Sequence, residues 1–274
     1  DPTMTVKSEF FSSESSSSSR VTNESPILLK FTADDTILDF ELSDIIVTGG
    51  TLEELSGHGR DWVAAISCED DGLKSIRVDA ASFRDKAGNT NENQTTFEWT
   101  FDSTHPTMSI AADQFSSNND YSNADMVTLT FTSSENTNDF DASDVICEGG
   151  VLSDFLGSGT TYTATFTPTG GDGEKAVTVH SGSFHDHAGN GNMNASSSGS
   201  LLTWNYDSIS PTVAITTKNG HSGAYLNSPS LEFHLSFSEN AIRFEESYVI
   251  AYGGDVSDFS HVGNMMYSTT FTSR

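Results

Sequence analysis

The chain has 274 residues, with 39 acidic side chains against 12 basic ones and a formal net charge of −27. Phosphate contact needs a basic surface, so this balance opposes nucleic acid and anionic lipid as partners and favours cations. No apolar run reaches the ~20 residues of a membrane span, no signal peptide is visible, and the length suits about two domains.

The chain opens on Asp1-Pro2-Thr3 and the alternating Met4-Thr5-Val6, expected as a short strand. Residues 12–19 are nearly all serine around Glu14 and lack the apolar content for a core. Residues 114–123 are polar in the same way, so a variable surface loop is expected at both places. Ile27-Leu28-Leu29-Lys30-Phe31 is matched by Val127-Thr128-Leu129-Thr130-Phe131 and by Leu231-Glu232-Phe233-His234-Leu235. The period of two in the later copies marks a half-buried strand. Residues 34–42 have closely spaced apolar positions that fit a single helical turn.

Ser43-Asp44-Ile45-Ile46-Val47-Thr48-Gly49-Gly50 then aligns with Ser143-Asp144-Val145-Ile146-Cys147-Glu148-Gly149-Gly150 and, more weakly, with Ser247-Tyr248-Val249-Ile250-Ala251-Tyr252-Gly253-Gly254. The paired glycines end a strand and permit a tight reversal. A further Gly-x-Gly at Gly57 and Gly157 divides a hairpin, and Ser75-Ile76-Arg77-Val78 and Ala176-Val177-Thr178-Val179 supply the next strand. The loop Asp85-Lys86-Ala87-Gly88-Asn89-Thr90-Asn91 recurs as Asp186-His187-Ala188-Gly189-Asn190-Gly191-Asn192. Phe97-Glu98-Trp99-Thr100-Phe101 and Leu202-Thr203-Trp204-Asn205-Tyr206 close each copy. Phe97, Trp99 and Phe101 face one way, where packing is a better use than a stacking platform.

Trp99 and Trp204, like Asp102 and Asp207, lie 105 residues apart, so the chain is a tandem repeat. Its divisions are 1–102, 103–207 and an incomplete third copy at 208–274, read as a window onto a longer array. About seven short strands per repeat, with turn residues between them, predict an all-β architecture of two-sheet sandwiches.

Acidic and amide side chains gather where one repeat passes to the next. Asp102 and Asp207 end the closing strands, and Glu135 and Glu239 lie in matching Ser-Glu-Asn triplets. Asp85, Asn89 and Asn91, with Asp186, Asn190 and Asn192, line the recurring loop. Calcium takes six to eight oxygen ligands, and these residues are its candidate donors, stiffening the joint. The competing reading is that the loop Asp and Asn fold back on their own backbone, with Gly88 and Gly189 at positive φ. His180, His185 and His187 cluster near Asp186 but have no counterparts in repeat one, and read as solvated loop residues.

Asn23, Asn93 and Asn194 begin Asn-x-Ser/Thr sequons. Asn93 and Asn194 each follow their loop Asp by eight residues, and that recurrence favours N-glycans and a secretory route. Cys68 and Cys147 fall at non-equivalent positions, which excludes a disulfide built into every repeat and leaves two packed thiols or a bridge to another chain. No nucleophile–base–acid set, no Gly-x-Ser-x-Gly and no phosphate loop ending in Gly-Lys-Ser/Thr is present, so catalysis is not expected.

The segment running from Phe140-Asp141-Ala142-Ser143-Asp144 through Gly149-Gly150 to Tyr162-Thr163-Ala164-Thr165-Phe166 resembles the tandem bacterial Ig-like repeats of large surface adhesins and extracellular filament proteins. The Asp-x-Ala-Gly-Asn-x-Asn loop and the linker Asp207-Ser208-Ile209-Ser210-Pro211-Thr212 are similar to that family's end-of-domain signature; Tyr248 departs from it, where an Asp is usual. The resemblance implies extracellular Ig-like sandwiches strung into a rod, and names no ligand. The expected function is therefore structural: part of a stalk, sheath or filament at the cell surface, with copies of itself or other surface proteins as partners. The alternatives are an adhesin that binds a glycan or receptor through its loops, and spacer modules of a larger secreted enzyme.

Overall fold

The computed structural model describes residues 1–11, 20–194, 200–217, 225, 227–263 and 265–274; the serine-rich segment 12–19 lies outside them. Among the described residues the elements are strands and three 3-10 turns, Leu42–Asp44, Ala142–Asp144 and Glu246–Tyr248. The chain divides into two compact units, Asp1–Asp207 and Ser208–Arg274.

The first unit contains two sandwiches. In the first, β1 (Met4–Ser8), β3 (Ile27–Ile37) and β5 (Thr51–Ser67) form one sheet in the order β1-β3-β5. The facing sheet runs β2-β7-β6-β4, from β2 (Val21–Thr22), β7 (Thr95–Phe101), β6 (Gly72–Val78) and β4 (Ile45–Thr48). The second sandwich repeats this plan. Its first sheet is β12-β10-β8, from β12 (Gly150–Pro168), β10 (Val127–Thr137) and β8 (Met108–Ala112). Its second is β11-β13-β14-β9, from β11 (Val145–Glu148), β13 (Gly173–Val179), β14 (Leu201–Tyr206) and β9 (Asp120–Ser122). The second unit is a single sheet, β15-β16-β18-β17, from β15 (Val213–Thr217), β16 (Ser230–Phe237), β18 (Met266–Ser273) and β17 (Gly254–Gly263).

Alternation decides which residues face inward. Along β3, Ile27, Leu29, Phe31 and Ala33 are buried while Leu28 and Lys30 face water. Along β7, Phe97, Trp99 and Phe101 meet them from the opposite sheet, in one core with Ile66 and Ile76. The second core is richer in rings. Trp204 stands edge-on to Phe166 at 4.7 Å, and Phe140 packs against Phe131, Tyr162 and Phe184. Cys68 is buried and Cys147 half-buried, both free, and burial pushes both thiols up from their ordinary pKa.

Each sandwich also buries a lysine. Lys74 pairs across the ladder with Trp99, and Lys175 with Trp204. The aliphatic stem of Lys175 lies on Gly149, where a Cβ would come within 2.7 Å of Cδ, and Lys74 lies likewise on Gly49. Both glycines take a left-handed φ, so the conformation and the close approach require the same residue. The Lys175 ammonium donates to the carbonyls of Thr169 at 3.0 Å and Gly171 at 2.8 Å; Lys74 donates to that of Asp70. Carbonyl partners meet the need of a buried charge for hydrogen bonds.

Two sequence expectations are corrected. Residues 34–37 extend β3 through a register slip after Thr32, and the helical turn comes later, at Leu42–Asp44. Ile37 and Phe40 both point into the core, and the Asp44 carboxylate accepts from Glu41 N at 2.7 Å, closing the turn there. The polar stretch 114–123 is not all loop: β9 pairs in parallel with the edge of β14. Three residues with no apolar pattern satisfy that edge through backbone groups, as β2 does for β7.

Because Trp204 is fully buried, Trp204→Ala is expected to cost about 3–5 kcal/mol by loss of burial and cavity formation. Denaturant unfolding followed by circular dichroism reads this directly; a loss below about 1 kcal/mol would show that the second core does not rest on the indole.

Candidate functional site

The recurring loop is built by its own side chains. Asp186 Oδ1 accepts from the backbone N–H groups of Ala188, Gly189 and Asn190 at 2.8, 2.8 and 2.9 Å, and Oδ2 from Asn190 Nδ2 at 2.8 Å. Asp85 does the same with Ala87 N and with Asn89 N and Nδ2 at 2.8, 2.9 and 2.8 Å, and the Asn89 amide holds its carboxyl below the usual carboxylate range. Asn192 turns inward: its Oδ1 accepts from Phe184 N at 3.1 Å and its Nδ2 donates to the His180 carbonyl at 2.8 Å. Asn91 repeats this with Phe83 N and the Asp79 carbonyl. These are side-chain-to-backbone turns of the kind that Asp and Asn form locally.

What distinguishes the second loop is its neighbour. It sits at the joint with the first sandwich, where Asn190 Nδ2 donates to the Asp102 carbonyl at 2.9 Å and Asn190 Oδ1 accepts from Asn23 Nδ2 at 3.1 Å. Asn23 N donates to the Ala188 carbonyl at 3.2 Å. The linker after Asp102 is gripped from both sides. Asp71, from the first sandwich, accepts from Ser103 N at 2.7 Å, Ser103 Oγ at 2.8 Å and Thr104 Oγ1 at 2.6 Å. From the second, the Gly191 carbonyl bonds His105 Nδ1 at 2.7 Å, and Met193 N donates to the Pro106 carbonyl at 2.8 Å.

Within this joint Asp102, Glu135 and Asp186 converge, with one carboxylate oxygen from each within 4.8 Å of the others. Burial pushes the Glu135 carboxyl above its ordinary pKa, and the charges of Asp102 and Asp186 push it further. Asp71 moves the other way, held down by the Thr104 hydroxyl and the Ser103 amide. Like charges this close disfavour ionising all three carboxyls at once. The donors are oxygen only, the set that suits a hard cation such as calcium rather than a thiolate- or imidazole-seeking metal.

The candidate donors thus separate. Asp102, Glu135, Asp186 and Asn190 come together, whereas Asp85, Asn89, Asn91 and Asn192 are engaged within their own loops. Asp207 N donates to the Ser122 carbonyl at the end of the first unit, and Glu239 is half-buried in the second. The histidines find separate polar partners, His185 with Asp139 at 2.8 Å and His187 with Asn138 at 3.0 Å. Of the sequons, Asn93 and Asn194 are exposed, while the Asn23 amide is part of the joint. The Asp71 clamp escapes a reading of the loops alone, yet it has a repeat signal: Asp71 recurs as Asp172 and Ser103 as Ser208.

Against known proteins, the bacterial Ig-like domain profile matches residues 1–100 and again 102–203. Among solved structures the chain is similar to invasin, a bacterial integrin-binding protein, at 12% identity and a TM-score of 0.35, covering 100% of this chain and 54% of that one. It is similar to the S-layer protein SbsC at 12% identity and a TM-score of 0.23, covering 92% of this chain and 50% of that one. The chain therefore spans about half the length of these structures. No curated protein sequence matches it. The two profile matches fall on the two seven-stranded sandwiches, and the chain belongs to the bacterial Ig-like domain family.

Proposed function

We propose that the chain is a structural spacer of an extracellular assembly, a run of Ig-like sandwiches that sets distance and orientation at a cell surface. The observation that carries this reading is the joint. A linker held on one side by Asp71 and on the other by Gly191 and Met193 passes the orientation of one sandwich to the next. A flexible tether has no use for such bonds. Family membership and the strongly acidic surface support the same reading, with copies of the chain or other surface proteins as partners. Exposed Asn93 and Asn194 are its proposed N-glycan sites.

Calcium at the joint completes the proposal. Asp102, Glu135 and Asp186 supply the charge, while the hydrogen bonds on Asp186 fix its carboxylate in place. A cation there offsets both the burial and the repulsion that raise the Glu135 pKa, and links the closing strand of one sandwich to the loop of the next.

Four measurements test this. In the full chain, NMR relaxation is expected to show the first two sandwiches tumbling as one body, and Asp71→Ala to let them move separately. The Asp71 carboxyl is held below its ordinary value, so the clamp operates above that value and weakens as pH falls below it. Independent tumbling in the unmutated chain would remove the basis of the spacer reading. Calcium at about 100 times its Kd is expected to stabilise the chain by about 2.7 kcal/mol, seen as a higher Tm that chelator reverses. Glu135→Gln should lose most of that gain, and a Tm indifferent to calcium defeats the cation site. Antibodies to these residues should label intact, unpermeabilised cells, and protein from its native source should carry hexose mass at Asn93 or Asn194. Labelling only after permeabilisation contradicts the surface assignment; unmodified mass contradicts the glycans.

A further inference from the structure

Asn190, at the centre of the joint, is followed by glycine. Among the described residues Asn190-Gly191 is the only Asn-Gly pair. Such a pair loses its amide readily, because no side chain on the glycine shields its backbone nitrogen from the asparagine Cγ. The first loop has Asn89-Thr90 at the same place, where a β-branched side chain crowds that approach.

The fold does not demand that glycine. Gly191 lies outside the left-handed region, and a Cβ placed on it would meet Gly182 Cα at 3.7 Å and the His185 ring at 3.8 Å, ordinary contacts both. Gly189, two residues earlier, does need its place, with a φ of 95°. What restrains Asn190 is the joint. The residue is 4% exposed; its Nδ2 donates back along the loop to Asp186 Oδ2 and across to the Asp102 carbonyl, and its Oδ1 accepts from Asn23 Nδ2. Two of those three partners belong to the first sandwich, so the amide is fully held only while the joint is closed. Asn89 is exposed, and its amide bonds Asp85 within its own loop.

We propose that Asn190 is a deamidation site guarded by the closed joint, and that its conversion leaves the joint open for good. This deepens the reading of the joint given above and rests on it. When the sandwiches part, the bonds to Asp102 and Asn23 are lost together and the side chain can swing towards Gly191. The Gly191 nitrogen attacks Asn190 Cγ, the Cγ–Nδ2 bond breaks, and Nδ2 leaves as ammonia with the proton that the Gly191 nitrogen gives up. Water then opens the cyclic imide to aspartate or isoaspartate, so the balance is one water taken up and one ammonia released. The product places an acceptor where Nδ2 was a donor, facing the Asp102 carbonyl and the Asp186 carboxylate. It also adds a negative charge beside Asp186, a member of the three-carboxylate cluster. The loop that held the first sandwich now repels it.

The test incubates the full chain with chelator at mildly alkaline pH, beside a synthetic peptide of residues 183–194, and follows each asparagine by proteolytic peptide mapping. Asn190 is expected to convert about tenfold or more slowly in the chain than in the peptide, as reaction through a minor open state requires. Asp71→Ala, which releases the linker, should raise the rate in the chain towards that of the peptide, while Asn89 stays an amide throughout. In a second arm, Asn190→Asp in the full chain is expected to let the two sandwiches tumble separately by NMR relaxation, with the near-UV circular dichroism of the tryptophans unchanged. Asn89→Asp sets the same repulsion against Asp85 but touches no bond across the joint, so the sandwiches should still tumble as one. If Asn190→Asp does not fold, the same relaxation is read on chain converted during the incubation. Conversion at the peptide rate in a chain whose sandwiches tumble as one overturns this inference alone, and so does a joint that stays closed with an acid at 190. Independent tumbling of the unmutated chain removes the spacer reading with it.

Discussion

Each complete sandwich is organised by the tryptophan of its last strand. Trp99 and Trp204 are fully buried, each paired across the ladder with a lysine that lies on the first glycine of the Gly-Gly turn. The indole provides apolar area, the lysine stem covers a backbone that has no side chain of its own, and the ammonium bonds carbonyls of the loop that leads into the lysine's own strand. Remove any one and the other two lose their reason to be there. This arrangement explains why a chain so rich in serine, threonine and aspartate holds two cores: the apolar content is concentrated on a few inward positions of β3, β7, β10, β12 and β14.

Charge is distributed by a different logic. Most carboxylates are dispersed in water, where screening makes them cheap to keep. Three are brought together where the two sandwiches of the first unit meet, and burial together with the neighbouring charges raises the Glu135 pKa there. The joint therefore combines hydrogen bonds that fix its geometry, accepted by the Asp71 carboxylate and exchanged by Asn190 and Asn23, with a cluster of three carboxylates. The family profile matches both sides of this joint, and the donors come from both.

Much of the fold was legible because its signals are local and periodic. Alternation marks β7, β10, β12 and β16, and the 105-residue spacing of the tryptophans marks the repeat. The parallel strands β2 and β9 were not legible, since pairing there runs through backbone groups that leave no side-chain pattern. The burial of Lys74 and Lys175 has no signal in the sequence, because it depends on carbonyls of a loop that only the fold brings to them. At the site, the partnership of Asp102 with Glu135 followed from their places in the repeat, but the inward turn of Asn91 and Asn192 did not. An amide that serves its own loop and one that serves a neighbour look alike in one dimension; Asn190 does both.

The direction of β2 relative to β7 has a further consequence. The two run parallel, and β2 lies nearer the start of the sandwich while β7 leads out of it. Tension applied along the chain draws them in opposite senses along a shared axis, so their hydrogen bonds, including Thr100 N to the Arg20 carbonyl and Asp102 N to the Thr22 carbonyl, are sheared together instead of peeled in turn. The second sandwich repeats the arrangement with β9 and β14, where Asp207 N bonds the Ser122 carbonyl. A few bonds loaded at once yield only when all of them yield, so the shortest of the described strands are ones that a pull along the chain loads in shear.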